Sequence, residues 1–565
     1  MKRTDFSVDW LFAACAPDTE LLPWNAQFTP VDLPHDWQIR HADDLYRDGT
    51  LFYRKYFFVT DVPGTRRMLW FGGAYMDTTV FVNGTEVGQW KYGYTSFWFD
   101  ITDALHEGQN EVLVRCNLRH PNSRWYSGAG LYRKVELWEA PDLHLMPDGL
   151  YVAAKEGDNG VWTVAVTAEA GSVTAASTGR TLTLHLTDDN GSLLGTAAIP
   201  ADAWAALPSP DGWRTGKETA IYKASHTFTL QDPALWDLDA PSFYHITAEL
   251  TGADGVTDTL TTRFGCRTIE ATPDCGLLVN HKRVLIKGVC IHHDFGCLGS
   301  AFEYSAAKRQ LEILKSMGVN SIRTGHTPPA PQFMDLADEM GILMDVESFD
   351  CWRSGKNPYD YGRFFDEWQE KDVASWIRRD RNHPSLLFWC IGNEIYDTHA
   401  GSEGADTMRM LLAEVAAHDP ARNGIPTLGS NYMPWENTQH CADIIKVAGY
   451  NYGERLYASH HEKHPDWVIY GSETSSIVQS RGIYHFPLSQ SLLSDDDLQC
   501  SSLGNSRTSW GAESWDVCLQ SEQRWPFTLG QYLWAGWDYI GEPTPYHTRS
   551  SYFGTIDTAG FPKDA

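Results

Sequence analysis

The 565-residue sequence has no apolar run long enough to cross a bilayer, so a soluble, globular class is expected. It is poor in basic residues: 45 Lys and Arg stand against 73 Asp and Glu, a formal net charge of −28. That deficit argues against nucleic acid and anionic membranes as partners, because both would be repelled. It also favours neutral substrates weakly. There is no CxxC pair, and the 11 cysteines are scattered and odd in number, so buried free thiols are expected rather than a disulfide framework. A secretory leader is not expected either. Met1-Lys2-Arg3-Thr4-Asp5 resembles the charged start of one, but the apolar run Trp10–Ala16 is too short and Asp5 and Asp9 precede it. A cytoplasmic location follows as an expectation.

What is abundant is aromatic. Phe, Trp and Tyr make up 13% of the chain, with 23 Trp. Such rings either fill sandwich cores or stack on sugar rings. The length exceeds what one core supports, and three domains are expected. Residues 1–140 read as β: Tyr53–Val59, Arg67–Phe71, Thr78–Val82, Ser96–Ile101, Glu111–Cys116 and Lys134–Trp138 alternate, with Asn83-Gly84 at a hairpin. A jelly-roll-like sandwich is expected there. Residues 141–267 repeat the texture in Val161–Ala168, Thr181–Leu186, Lys223–Leu230, Tyr244–Leu250 and Asp258–Phe264, which suits an immunoglobulin-like sandwich.

From residue 268 the texture changes. The β run Val284–Ile291 is followed by Ser305–Met317, whose Ala307, Leu311 and Leu314 share one helical face, with Gly318 as its stop. The strand Val319–Arg323 leads to the helix Pro331–Met340 and then the strand Ile342–Glu347. Strands are further predicted at Leu386–Ile391, Thr427–Asn431, Val447–Asn451, Trp467–Gly471 and Gly530–Trp537. Eight strands alternating with helices imply a (β/α)8 TIM barrel over residues 268–565. An eighth helix is missing before Asp564-Ala565, and an incomplete sequence or an unusual closure is the expectation.

In such barrels the chemistry lies at the C-terminal strand ends. Strand four ends in Asn393-Glu394 and strand seven in Ser472-Glu473. Two carboxylates delivered to one rim suit glycosidic hydrolysis. One acid protonates the leaving oxygen, and the other group attacks the anomeric carbon or activates water; ~5–5.5 Å between them means retention and ~6.5–9.5 Å inversion. A lone glutamate at a strand end is usually a rim salt bridge. The paired positions, with Asn393 able to hydrogen-bond a sugar 2-hydroxyl, favour function.

The motifs around this pair resemble glycoside hydrolase family 2, which holds β-galactosidases, β-glucuronidases and β-mannosidases. They are Val31-Asp32-Leu33-Pro34-His35-Asp36-Trp37, the stretch Tyr75 to Gly88, and Asn122-Ser123-Arg124-Trp125-Tyr126-Ser127-Gly128-Ala129-Gly130-Leu131-Tyr132-Arg133. The second sandwich carries little of the likeness. The resemblance implies that Glu394 is the acid/base, Glu473 the nucleophile, and Tyr452 a hydrogen-bond donor to the nucleophile. It implies sugar contacts for His292 and His326, and a floor at Trp534. Asn122 and Arg124 would reach over the barrel mouth from the first sandwich.

The tail Trp537–Pro545 and the stretch Leu311–Thr324 are similar to bacterial β-galactosidases of the family, so a retaining exo-β-galactosidase acting on a small-molecule β-glycoside is the first reading. Thr327 and Cys290 depart from the family pattern. The Asn-x-Lys of family β-glucuronidases is absent, although Arg549 is a nearby cation, and a β-glucuronidase or β-galacturonidase is the alternative. An inactive carbohydrate-binding protein is the rival of another class. No cofactor and no catalytic metal are expected, since Cys351 and Trp352 stand where metal-using members carry ligands. Homo-oligomerisation stays open.

Overall fold

Period-two burial turns the first quarter of the chain into sheets. In Gly108–Leu118 every second side chain faces inward, and the strand pairs along its whole length with Gly49–Val59. Both lie in a six-stranded sheet that packs with a four-stranded one. Asn83 and Gly84 have φ of 49° and 79°, the two positive values a tight hairpin turn requires. The computed structural model describes residues 1–563 except 42, 61–63, 174–179, 208–212, 214, 253–254, 485, 487–499, 501–512 and 542–549. The run Trp10–Cys15, short for a leader, is a strand of the six-stranded sheet with Trp10 fully buried.

The second sandwich is two four-stranded sheets around Trp162, Leu184, Ile246 and Leu250. A three-stranded sheet follows (Ile269–Thr272, Gly276–Val279, Lys282–Val284), which splits the expected run Val284–Ile291. Its Leu277 and Val279 pack with Ile286, Tyr470 and Tyr532 of the barrel interior.

The barrel closes in the expected order. Its parallel strands are β1 (Ile286–Ile291), β2 (Ser321–Thr324), β3 (Leu343–Glu347), β4 (Leu386–Asn393), β5 (Ile425–Ser430), β6 (Val447–Asn451), β7 (Val468–Ser475) and β8 (Gly530–Trp534). The helix Tyr304–Ser316 buries Ala307, Leu311 and Leu314, and Pro331–Met340 stops at Gly341 with φ 64°. β8 is three residues shorter than predicted, because Ala535 leaves the ladder to bond Phe553. After β8, among the described residues, comes a short antiparallel pair, Tyr539–Ile540 with Ser550–Ser551, and no α-helix.

The first sandwich is seated on the barrel. Trp90 meets Trp368 at 5.6 Å between ring centres, and Tyr92 lies against Phe349 and Tyr361. Two of the sequence motifs form this seam. Buried Asp36 accepts from the Ala129 amide, the Tyr126 hydroxyl, and the Ser300 amide and hydroxyl. Arg133, also buried, donates to the carbonyls of Tyr94, Pro328 and Pro329. A carboxylate and a guanidinium with their bonds filled are tolerated inside; unfilled, each would cost several kcal/mol, roughly. Gly128, φ 68°, lies so close to Ser300 that a β-carbon would overlap it.

Candidate active site

The C-terminal ends of β4, β6 and β7 converge. Glu394 follows β4 with φ 46°, a left-handed turn held by its amide bond to the Gly429 carbonyl of β5 at 2.9 Å. Tyr452 follows β6 with φ 55° and donates its amide to the Glu473 carbonyl at 2.8 Å. Left-handed non-glycine residues persist only where surroundings fix them, and they cluster at functional sites.

Glu473 is 3% exposed and both its oxygens are engaged. Oε1 accepts from Arg323 Nη1 at 2.8 Å, and Oε2 from the Tyr452 hydroxyl at 2.9 Å. Burial pushes its pKa above the usual carboxylate range, with the charge of Glu394 adding to this and Arg323 opposing it. Glu394 Oε1 accepts from Asn451 Nδ2 at 3.2 Å, and Oε2 from Arg124 Nη1 at 3.1 Å. The two carboxylates are joined through one relay: Arg323 donates to Asn393 Oδ1 at 2.9 Å, and Asn451 donates to the same oxygen at 3.0 Å. Asn393 Nδ2 donates in turn to Asp350 at 3.0 Å.

Around this relay stand the remaining predicted residues. His326 Nδ1 lies 2.9 Å from Glu347 Oε2, and its ring stacks on Trp534 at 5.2 Å and 1°. His292 packs among Trp125, Trp534 and Tyr539. Burial holds both imidazoles well below their usual pKa, so they are neutral at pH 7. Arg124 does cross from the sandwich: Nε and Nη2 grip Asp350 at 2.9 and 2.6 Å while Nη1 reaches Glu394. The Asn122 side chain is held by the Tyr75 hydroxyl and the Arg119 carbonyl, and lines a pocket with Trp125, Phe349 and Asp350 between the sandwich and the barrel loops.

Sequence reasoning did not single out Arg323, Asp350, Lys356, Glu347 or Asn451. Fully buried Arg323 pairs with Glu347 at 2.5 Å as well as with Glu473. Burial alone would lower its pKa, but Glu347, Cys290 and Glu473 outweigh this, so it stays charged. Asp350 is pushed up by burial, yet Arg124 and Lys356 prevail and hold it well below the usual range. A charged residue in a short barrel strand that is buried throughout, Ser321-Ile322-Arg323-Thr324, is the signal that could have been read. Arg549 lies outside the described residues. Among those described, Asp335, Asp338 and His383 could approach a metal together, but Asp338 already serves Arg263, His383 and the Ser385 amide. The described residues hold no helix long and apolar enough to cross a membrane.

The geometry thus offers two buried carboxylates, Glu473 between Arg323 and the Tyr452 phenol, and Glu394 between the Asn451 amide and Arg124. Comparison with known proteins agrees with that chemistry. Residues 271–461 match the model of the glycosyl hydrolases family 2 TIM barrel domain, and residues 148–267 a second model of glycosyl hydrolases family 2. The whole chain is 34% identical to beta-galactosidase BoGH2A of Bacteroides ovatus, covering 71% of that protein. It is 29% identical to a putative beta-glucuronidase of Formosa agariphila, covering 55% of it. A glycosyl hydrolase family 2 member from Bacteroides cellulosilyticus superposes over the whole chain and 70% of its own, with TM-score 0.84 and 27% identity. The chain belongs to glycoside hydrolase family 2.

Proposed function

We propose that the protein is a retaining exo-β-glycosidase that removes terminal β-D-galactosyl residues. The observation that carries this is the relay through Asn393, Arg323 and Asn451, which ties two carboxylates to one mouth. Glu473 is the nucleophile, since Arg323 and Tyr452 fix both oxygens and Arg323 favours the ionised form. It attacks the anomeric carbon; the glycosidic bond breaks, and the leaving oxygen takes the proton of Glu394. A glycosyl ester on Glu473 results. Esterification removes the negative charge of Glu473, and Glu394, having given up its proton, is the carboxylate that activates water. Water donates its proton to Glu394, attacks the anomeric carbon and frees Glu473. Trp534 with His292 and His326 form the wall of the sugar site, and Asn122 lies on the Asp350 side of the mouth.

The likeness to a relative named beta-galactosidase supports the galactoside. Relatives named beta-glucuronidase support a uronide as the second reading. A panel of aryl β-glycosides separates them: galactosides are expected to be cleaved fastest, and faster cleavage of uronides rejects the first reading. Glu473→Gln is expected to abolish turnover, with azide restoring it to Glu473→Gly and giving an inverted product. An active Glu473→Gln protein removes Glu473 from the role. The division into residues 1–140, 141–267 and 268–565, and a cytoplasmic location, belong to the same reading.

A further inference from the structure

The loops after β4 and β5 carry four aromatic rings that no step above uses. Tyr396 lies two residues beyond Glu394. His399 closes on Tyr432 at 4.3 Å and on Trp435 at 5.4 Å, and Tyr396 and Tyr432 stand at 6.2 Å. The rings are therefore already arranged against one another. Two remain open to solvent all the same: Trp435 is 58% exposed and Tyr396 39%. The cluster belongs to the Glu394 side of the mouth, because β5 runs beside β4 and Glu394 bonds the Gly429 carbonyl just before this loop. The Tyr432 hydroxyl is pushed up to about 12, first by burial and then by the charge of Glu394, which agrees with that placement.

We infer that Tyr396, Tyr432 and Trp435 form the subsite for the leaving group, and that its occupant is a second pyranose ring. This rests on Glu394 being the acid, since the leaving oxygen must lie beside the group that protonates it. A half-exposed aromatic surface suits a hydroxylated ring. One face of the sugar packs C–H groups on the indole or phenol, while the other keeps its water. A fully aromatic leaving group would instead favour a dry slot. The Tyr396 and Tyr432 hydroxyls offer hydrogen bonds at the edge. Because the rings are pre-packed, little side-chain freedom is lost on binding. The natural substrate is then a di- or oligosaccharide end.

The test compares one terminal sugar, the best of the aryl panel, as its methyl β-glycoside and as its β-linked disaccharide. For Trp435→Ala the preference in kcat/KM for disaccharide over methyl glycoside is expected to fall about tenfold, the scale of one stacking contact. Tyr396→Ala is expected to act in the same direction. An unchanged preference in both variants, with the parent protein active on both substrates, overturns the subsite and leaves the hydrolase reading standing. A fall in preference confined to aryl glycosides also overturns it, since the occupant is then aromatic. A parent protein that neither cleaves these glycosides nor, as Glu473→Gln, binds them in calorimetry overturns both readings.

Discussion

The first sandwich shares its apolar core with the barrel, from Trp90 through Trp368 and Phe349, whereas the second keeps a core of its own around Trp162 and Ile246. The second meets the barrel near the N-terminal ends of its strands, through Trp236 and Phe243 packed with Leu343 and Phe388 and through polar contacts. Tyr151 donates to Asp419 at 2.6 Å, Asn382 takes the Val152 amide, and Arg378 pairs with Glu169 at 2.8 Å. The first meets the opposite end and sends Arg124 into the site. One seam thus reaches the candidate site, and in the proposed reading the other is a support. Sequence similarity does not follow this division: the second sandwich was expected to carry little of the likeness, yet residues 148–267 match a glycosyl hydrolases family 2 model.

That contrast can be broken by mutation. The largest effect is expected at the target of the first seam: Glu394→Gln lowers kcat by roughly 10²–10⁴. The loss is smaller for aryl glycosides with good leaving groups, which need less protonation, and steady-state rates across a leaving-group series check this. Next, Arg378→Ala on the second seam strands buried Glu169 and destabilises by about 3–5 kcal/mol. Denaturant titration measures that, while the rate per folded molecule stays at the parent level. If activity falls with it, the second seam is not merely a support. Arg124→Ala reverses the pattern: kcat/KM drops on the order of 10–100-fold, from the loss of hydrogen bonds to charged groups, with a smaller change in stability. The smallest effect is in pH. Asp350 is held far below its unfolded pKa, so its contribution is full above about pH 4 and is lost progressively as pH falls from there toward the lowered folded value. Acid is expected to weaken the first seam, and Asp350→Asn to flatten the dependence, as read by denaturation at pH 3 and pH 6.

Much of this was legible in the chain. All eight barrel strands were found, because strands buried on both faces leave continuous apolar runs between helices with clear periodicity. Both carboxylates followed from strand ends alone. The strand Leu143–Glu156 was missed because Met146-Pro147-Asp148-Gly149 interrupts it, and the ladder there does shift register between Leu145 and Leu150. Leu193–Pro200 was missed because it is an edge strand with mostly exposed residues, so no alternation survives. The relay escaped for another reason. Arg323, Asn451 and Asp350 lie on three different strands or loops, and only barrel closure makes them neighbours. Asn122 and Arg124 are two residues apart in one motif, yet only Arg124 extends to the carboxylates, a difference of side-chain length and direction that no spacing rule encodes.

The grip of Arg124 on Asp350 and Glu394 makes the proposed acid a joint possession of two folding units. A barrel cut free of its sandwich would keep its glutamates and lose the guanidinium that steadies one of them. Since the two units also share one apolar core, heating is expected to unfold them together, with turnover and circular dichroism lost in step.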